Sequence, residues 1–226
     1  MIVSFHDILT PDELAAVRRQ LQLAEWARGI SAGPQAKQVK KNLQIPEGSE
    51  VLRDLRVLIM RALNRTPELM SAVMPFKIIP PNFNRYTVDD SHYGKHIDST
   101  LRSLPDGSYL RTDVSATLFL SDPDEYEGGE LRIIDTFGEQ SIKLPAGSLV
   151  TYPSGSLHEV TPVTRGERLG CYMFMQSLIR DTEQRRLLYE MDNALRVMRA
   201  EQGEQHAQLV ALTGTYNNLV RMWSEC

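Results

Sequence analysis

Cysteine is scarce in this chain: Cys171, within an apolar run, and Cys226, the last residue, are the only two among 226. Two thiols so placed exclude a disulfide framework and are expected to be a small core side chain and an incidental terminal thiol. Basic runs are as scarce. The longest is the short "KQVKK" at 37–41, and 25 Lys and Arg against 29 Asp and Glu give a net charge of −4, so neither nucleic acid nor a membrane surface finds an electrostatic footprint. Nowhere do apolar residues run uninterrupted for the roughly eighteen positions that a spanning helix needs. The opening "MIVSFHDILTPDELAAV" lacks the basic region, long apolar stretch and small-residue cleavage site of a secretory signal, so the expected compartment is the cytoplasm. No internal repeat and no low-complexity tract interrupts the sequence.

What remains is an ordinary globular composition, 42% apolar and 24% charged, with length for one sizeable core or one domain with an appendage. Thr10-Pro11-Asp12-Glu13 combines a threonine N-cap, a proline at the first helical position and a glutamate able to close a capping box. Leu14, Val17, Leu21 and Ala24 then recur at helical spacing, predicting an amphipathic helix to about residue 27. A Gly/Ser/Pro/Lys-rich loop is expected over 29–48. A second helix, roughly 49–63, carries Val51, Leu52, Leu55, Leu58 and Ile59 on one side, and Thr66-Pro67-Glu68 opens a short third.

From "FKIIPPNFNRY" onward the texture changes to short β-branched or aromatic runs between turn signals. Strands are expected near 76–79, 83–87, 95–98, 113–121, 129–134, 139–143, 147–152, 157–163 and 167–178. With no helices between them, they predict a mainly β antiparallel sandwich or jelly roll with flanking helices. Asp181 then caps a return to helix through Leu187, Leu188, Met191, Leu195 and Met198, and a last helix after Gly203 carries Leu209, Leu212, Leu219 and Met222. The expected organisation is a domain over 1–178, with helices over 10–73 and a jelly-roll core over about 76–178, followed by a helical appendage over 179–226. The apolar stripe of that tail offers a surface for docking or for pairing with a second copy of the chain.

The chemistry begins at "YGKHIDST", residues 93–100. In a strand, His96 and Asp98 project from the same face, so an imidazole nitrogen and a carboxylate oxygen approach one point. An isolated HxD also arises by chance on wet surfaces, and two ligands do not hold a catalytic metal. His6 and His206 lie in terminal helical regions and His92 in the loop before the motif, which leaves His158 of "PSGSLHEV", at the start of an expected strand sixty residues after Asp98. Arg168 follows ten positions later, on the next strand of an apparent hairpin turning at "TRGE", and heads the apolar "LGCYMFM". A guanidinium cannot shed its charge and is costly to bury alone, so it needs a partner, most naturally a carboxylate. Two histidines and a carboxylate make a facial triad with three adjacent positions open on a non-haem ferrous ion. A bidentate 2-oxo acid takes two and dioxygen the third; if the acid is 2-oxoglutarate, its far carboxylate calls for a planar forked cation such as Arg168.

In this order of HxD, distal His and basic residue ten positions on, the chain resembles the iron(II)- and 2-oxoglutarate-dependent dioxygenases of the prolyl/lysyl hydroxylase type. The resemblance runs through "NRYTVDDSHYGKHID", "ATLFLSDPDEYEGGEL", "PAGSLVTYPSGSLHEVTPVTRGERLGCYMFMQSLIRD" and the helical tail, and points to the bacterial PKHD-type hydroxylases, sometimes labelled iron-uptake factors. It implies a double-stranded β-helix with helices packed outside. It also implies His96, Asp98 and His158 as iron ligands, Arg168 as the 2-oxoglutarate anchor, and ascorbate as a further requirement. The implied activity couples decarboxylation of 2-oxoglutarate to succinate with hydroxylation of a small-molecule or peptidyl substrate, prolyl, lysyl or siderophore-related, which a shared fold does not identify. One departure is Phe174, where family members often carry a Trp in the last core strand, and it bears on pocket shape.

Two other readings fit the ligand set. One is a zinc hydrolase, which leaves Arg168 unexplained and offers no clear general base; the other is a non-enzymatic jelly-roll module that senses metal or binds a small acidic ligand. Around the site, Tyr86, ten residues before His96 on a strand expected to neighbour it, either aims its hydroxyl at the 2-oxoglutarate carboxylates or is an ordinary strand tyrosine. Asn84 shares its face. Tyr93 and Lys95 flank the metal motif, at a cavity mouth or in a solvated loop. "YEGGEL", 126–131, reads as a tight turn whose glycines take angles other residues resist, or as a device aiming Glu130 at the site.

Overall fold

The structure, a computed structural model, describes residues 1–29, 39–104, 106–136 and 138–225. Residues 30–38 of the loop expected over 29–48, part of "KQVKK" and Cys226 lie outside the described residues. The capping box forms: Thr10 Oγ1 accepts the Glu13 N–H at 3.3 Å and Glu13 Oε2 accepts the Thr10 N–H at 2.9 Å, an arrangement worth about 1 kcal/mol. It opens α1 (Pro11–Leu23), which ends earlier than expected because Ala24 takes extended backbone. Ser49 caps α2 (Glu50–Asn64) by accepting the Leu52 N–H, and α3 (Pro67–Val73) follows directly. Leu52, Leu55, Ile59 and Leu63 of α2 are fully buried, each contributing about 1.5–3 kcal/mol over an exposed position.

The first strands are β1 (Val3–Phe5), β2 (Ala27–Arg28), β3 (Lys40–Lys41), β4 (Leu43–Gln44), β5 (Pro75–Ile78), β6 (Asn82–Tyr86) and β7 (His92–His96). After them come β8 (Leu101–Ser103), β9 (Tyr109–Arg111), β10 (Val114–Phe119), β11 (Tyr126–Gly128), β12 (Leu131–Asp135) and β13 (Gly138–Ile142). The last are β14 (Leu149–Pro153), β15 (Leu157–Val160), β16 (Val163–Gly166) and β17 (Arg168–Ser177). One sheet runs β1-β14-β10-β17-β6-β4-β2 with β5 also on β17, and a second runs β13-β12-β15-β7-β3. Every pairing is antiparallel, and together they form the expected jelly roll.

Strand alternation sorts the first sheet into two faces. Along β17, Cys171, Met173 and Met175 join Phe83, Ala116 and Leu118 in the core that the helices cover. Arg168, Tyr172 and Phe174 line the cavity on the other side, as do Ser115 and Thr117 of β10 and Asn84 and Tyr86 of β6. Deeper between the sheets, Tyr86, Phe119, Val150 and Tyr152 meet Leu131, Ile133 and Val160. Cys171 is the small core residue expected, and burial pushes its thiol pKa up.

Several expectations change. β7 spans 92–96 rather than 95–98, and the β8–β9 hairpin, β11 and the short strands of the N-terminal part carry too few alternating residues to be read in advance. The strand expected over 157–163 divides at Thr161-Pro162, where proline has no N–H for a ladder. The hairpin expected at "TRGE" does not form. β15 pairs with β12 and β7 in the second sheet, whereas β17 pairs with β10 and β6 in the first. Between them β16 pairs with β11, and Gly166 permits this: at φ 74° a Cβ there would stand 2.0 Å from the Glu125 carbonyl oxygen.

The tail returns to helix where Asp181 Oδ1 accepts the Glu183 and Gln184 N–H groups at 2.9 and 2.8 Å, giving α4 (Thr182–Gln202) and then α5 (Ala207–Trp223). Ile179 and Leu188 pack with Met74, Tyr216, Leu219 and Trp223. Ser224 bridges to Ile179, and the Glu225 N–H donates to the Leu178 carbonyl at 2.8 Å. Among the described residues, no helix is long and apolar enough to cross a membrane.

Candidate metal centre

Strand register, rather than strand alternation alone, brings the HxD motif to the distal histidine. His96 on β7 stands directly opposite His158 on β15. Asp98 lies two residues past the end of β7, where the chain has left the ladder. The ligand atoms of His96, Asp98 and His158 all fall within 4.8 Å of one another. Asp98 Oδ1 is 4.0 Å from His96 Nε2, and Asp98 Oδ2 is 3.6 Å from His158 Nε2. On the far side of each ring, Nδ1 meets a backbone carbonyl, Gly94 at 2.8 Å for His96 and Ser156 at 2.9 Å for His158. A carbonyl oxygen only accepts, so Nδ1 carries the proton of each neutral ring and the Nε2 lone pairs face the carboxylate. Burial, reinforced by His158, lowers the His96 pKa and keeps its imidazole neutral. Tyr93 stacks on His96 at 3.5 Å between centroids, and Tyr152 meets His158 edge-on at 5.0 Å.

Ser115 completes the setting of the carboxylate, and no sequence motif marks it. Its hydroxyl donates to Asp98 Oδ2 at 2.6 Å and shares a 2.7 Å hydrogen bond with Ser154, whose N–H donates to the Asp113 carbonyl at 3.1 Å. The one available signal is a small polar residue in a strand, Val114–Phe119, that is buried throughout. Loss of such an outer partner typically weakens metal binding about 10–100-fold. Ser115→Ala is therefore expected to lower iron(II) affinity by that order in an anaerobic titration, and an unchanged affinity would take Ser115 out of this role.

Arg168 occupies the first sheet. It is 1% exposed, and its Cζ lies 5.2 Å from the Tyr86 ring centroid and 5.3 Å from that of Phe119. The protein carboxylate expected beside it is absent among the described residues: none of its three guanidinium nitrogens has a hydrogen-bond partner. The Tyr126 hydroxyl lies close enough for the guanidinium to offset part of the rise that burial imposes on its pKa, but it too has no hydrogen-bond partner among the described residues. A buried permanent cation without an acceptor is costly unless an anion arrives to pair with it.

Tyr86 neighbours Arg168 rather than His96, because β6 pairs with β17 and sets the two residues opposite each other. Asn42 donates to the Tyr86 oxygen at 3.0 Å and Asn84 at 3.5 Å, which leaves the phenolic proton to be given away. Gly170 keeps the corner open, since a Cβ there would come within 2.8 Å of Asn84 Oδ1 and 3.2 Å of Arg168 Nη1.

One cavity of about 810 Å³, counted to its open mouth, is lined by His96, Asp98, His158, Tyr86 and Arg168. Tyr93 lines it too, whereas Lys95 is exposed and not part of the lining. Glu130 accepts from Thr161 Oγ1 at 2.5 Å, away from the cavity, and the tight turn expected at "YEGGEL" does not form: Tyr126–Gly128 is β11, paired with β16 with a register shift at Gly128, and the chain passes on to β12 in the second sheet, with φ of 70° and 67° at Gly128 and Gly129.

Residues 81–176 match the 2OG-Fe(II) oxygenase superfamily, and residues 182–225 match the PKHD-type hydroxylase C-terminal domain. The fold is similar to that of a Pseudomonas putida prolyl-4-hydroxylase, with a TM-score of 0.51 and 22% identity over 77% of this chain and 92% of that one. A Trichoplax adhaerens prolyl hydroxylase, solved with a hypoxia inducible factor peptide fragment, gives a TM-score of 0.55 and 16% identity over 83% and 86%. By class, then, this is an iron(II)- and 2-oxoglutarate-dependent oxygenase. Over 100% of both chains it is 56% identical to a PKHD-type hydroxylase of Nitrosomonas europaea. The chain belongs to the PKHD-type hydroxylase family, as the resemblance implied.

Proposed function

We propose that His96, Asp98 and His158 hold the ferrous ion, that Arg168 pairs with the far carboxylate of 2-oxoglutarate while Tyr86 donates its phenolic proton to the same group, and that a small-molecule or peptidyl substrate enters by the cavity mouth. The observation that carries this reading is the buried guanidinium without an acceptor in the same cavity as three convergent ligand atoms. Two neutral imidazole nitrogens and a carboxylate suit iron(II) and leave one side of the ion open. Bound there, iron and 2-oxoglutarate supply the oxidising chemistry, in which dioxygen is consumed, 2-oxoglutarate becomes succinate and carbon dioxide, and one oxygen atom enters a substrate C–H bond.

The chain's own residues prepare that chemistry. The Gly94 and Ser156 carbonyls fix both imidazole tautomers, and Ser115 holds one carboxylate oxygen of Asp98. Leu131, Tyr152 and Val160 wall the cavity with apolar surface that excludes water. A zinc hydrolase fits less well, because the described lining holds no carboxylate besides Asp98 to act as general base and such an enzyme has no use for Arg168. Ascorbate enters the proposal as the reductant that keeps the site ferrous, and the reducing cytoplasm is the compartment proposed.

Anaerobic titration of iron(II) and 2-oxoglutarate into the protein tests the reading. The expected result is the visible charge-transfer band of a chelated ferrous 2-oxo acid. Absence of that band, with tight zinc binding in its place, would overturn it.

A further inference from the structure

The mouth of the cavity holds a second arginine that the cofactor chemistry does not use. Arg102 lies four residues past Asp98 on β8, and its side chain lines the cavity. Its Cζ sits 3.9 Å from the Phe174 ring centroid, Phe174 is braced edge-on by Tyr172 at 5.9 Å, and the Tyr172 hydroxyl is held at 2.6 Å by Gln44 Nε2. The guanidinium therefore lies on an aromatic platform that is itself anchored, with one face covered and its N–H edge left for a ligand. Nε of Arg102 is buried and has no hydrogen-bond partner, and no ion pair reaches the residue among the described residues. Other arginines of this chain differ: Arg18, Arg56, Arg65, Arg85 and Arg111 each lie against a carboxylate.

Charge balance in the cavity points the same way. If the iron and 2-oxoglutarate reading above is right, a ferrous ion with Asp98 carries one net positive charge, and the dianion of 2-oxoglutarate with Arg168 carries one net negative charge, so the cofactor set cancels. Asp98 is the only acidic residue in the described lining, to which Arg102 also belongs. The loaded cavity thus keeps positive charge at its mouth, and a partly desolvated cation there favours an anion over a neutral or cationic substrate.

We propose that Arg102, laid on Phe174, recognises an anionic group, carboxylate or phosphate, of the substrate that this enzyme hydroxylates. Phe174 supplies the platform. The inference rests on the cofactor reading, and its failure is distinguishable from failure of that reading in one experiment.

Anaerobic protein loaded with iron(II) and excess 2-oxoglutarate is titrated calorimetrically with hippurate, with phenyl phosphate and with hippuramide, the neutral analogue of hippurate. In wild type at least one anion is expected to bind about tenfold or more tightly than hippuramide, a margin typical of a charge-assisted contact. Which anion does so distinguishes carboxylate from phosphate recognition. Arg102→Met should erase the preference while keeping the charge-transfer band, which reports an intact fold and cofactor site. Arg102→Lys, with the charge but not the stacked plane, should retain only part of it. Equal binding of the anions and hippuramide by wild type, or an undiminished preference in Arg102→Met, would overturn the proposal. A wild-type protein without the band would overturn the cofactor reading instead.

Discussion

Asp98→Ala is expected to abolish iron-dependent consumption of 2-oxoglutarate, a fall of about a thousandfold or more, while the variant stays folded. The size follows from position. Losing a residue that only supports a ligand costs about 10–100-fold, and Asp98 is proposed as a ligand itself, with carboxylate oxygens 4.0 and 3.6 Å from the two imidazole Nε2 atoms. It is also the sole negative charge in the described lining of the cavity, so its removal leaves iron(II) with two neutral nitrogens and no anion from the protein. Stability is expected to move little. Asp98 lies beyond the end of β7, and truncating it frees Ser115 to keep its bond to Ser154. A loss of about 1 kcal/mol would lower Tm by only about 2–4 °C in a chain of this size. Succinate release is the measurement, and near-wild-type release by the variant would remove Asp98 from the metal.

Arg168→Ala is expected to weaken 2-oxoglutarate binding by about 30-fold or more, since truncating one partner of a buried hydrogen-bonded charge pair costs about 2–5 kcal/mol. The opposite sign is expected for the protein without ligand. There Arg168 is a buried charge with no acceptor, so its loss removes a desolvation cost, and the thermal unfolding temperature should hold or rise. This pairing of outcomes separates an anchor for an incoming anion from a structural arginine, whose loss would lower stability and leave 2-oxoglutarate affinity alone. Arg168→Lys should recover little, because a point charge lacks the planar fork that meets a carboxylate by two parallel bonds. Tyr86→Phe, which removes one hydroxyl donor, should cost only about 0.5–1.5 kcal/mol of 2-oxoglutarate binding. Titration by the charge-transfer band reads all three variants, and unchanged affinity in Arg168→Ala would exclude the anchoring role.

His96, Asp98, His158 and Arg168 were legible in the sequence as chemical types in a fixed order, and the helix caps at Thr10 and Asp181 were legible as residue types at fixed offsets. Both kinds of signal are local, because a cap or an alternating strand depends on residues two to four apart. Tyr86 shows the limit. Its distance in sequence from His96 suggested a neighbouring strand, yet β6 pairs with β17 and sets Tyr86 beside Arg168.

Ser115 and Arg102 show the same limit more sharply. Nothing around Ser115 in "TDVSATLFL" announces a bond to a carboxylate seventeen residues earlier, and nothing in "STLRSL" announces a stack on Phe174. The amino-acid sequence by itself determined the composition class, the helix starts, the alternation of strand faces and the residue types able to hold a ferrous ion and a dicarboxylate. Tertiary structure alone decided that His158 stands opposite His96 rather than in a hairpin with β17, that no carboxylate among the described residues reaches Arg168, and that an aromatic platform fixes Arg102 at the mouth. The physical reason is that these contacts join chain segments tens of residues apart, where sheet register and the facing of two sheets, not local spacing, set which side chains meet.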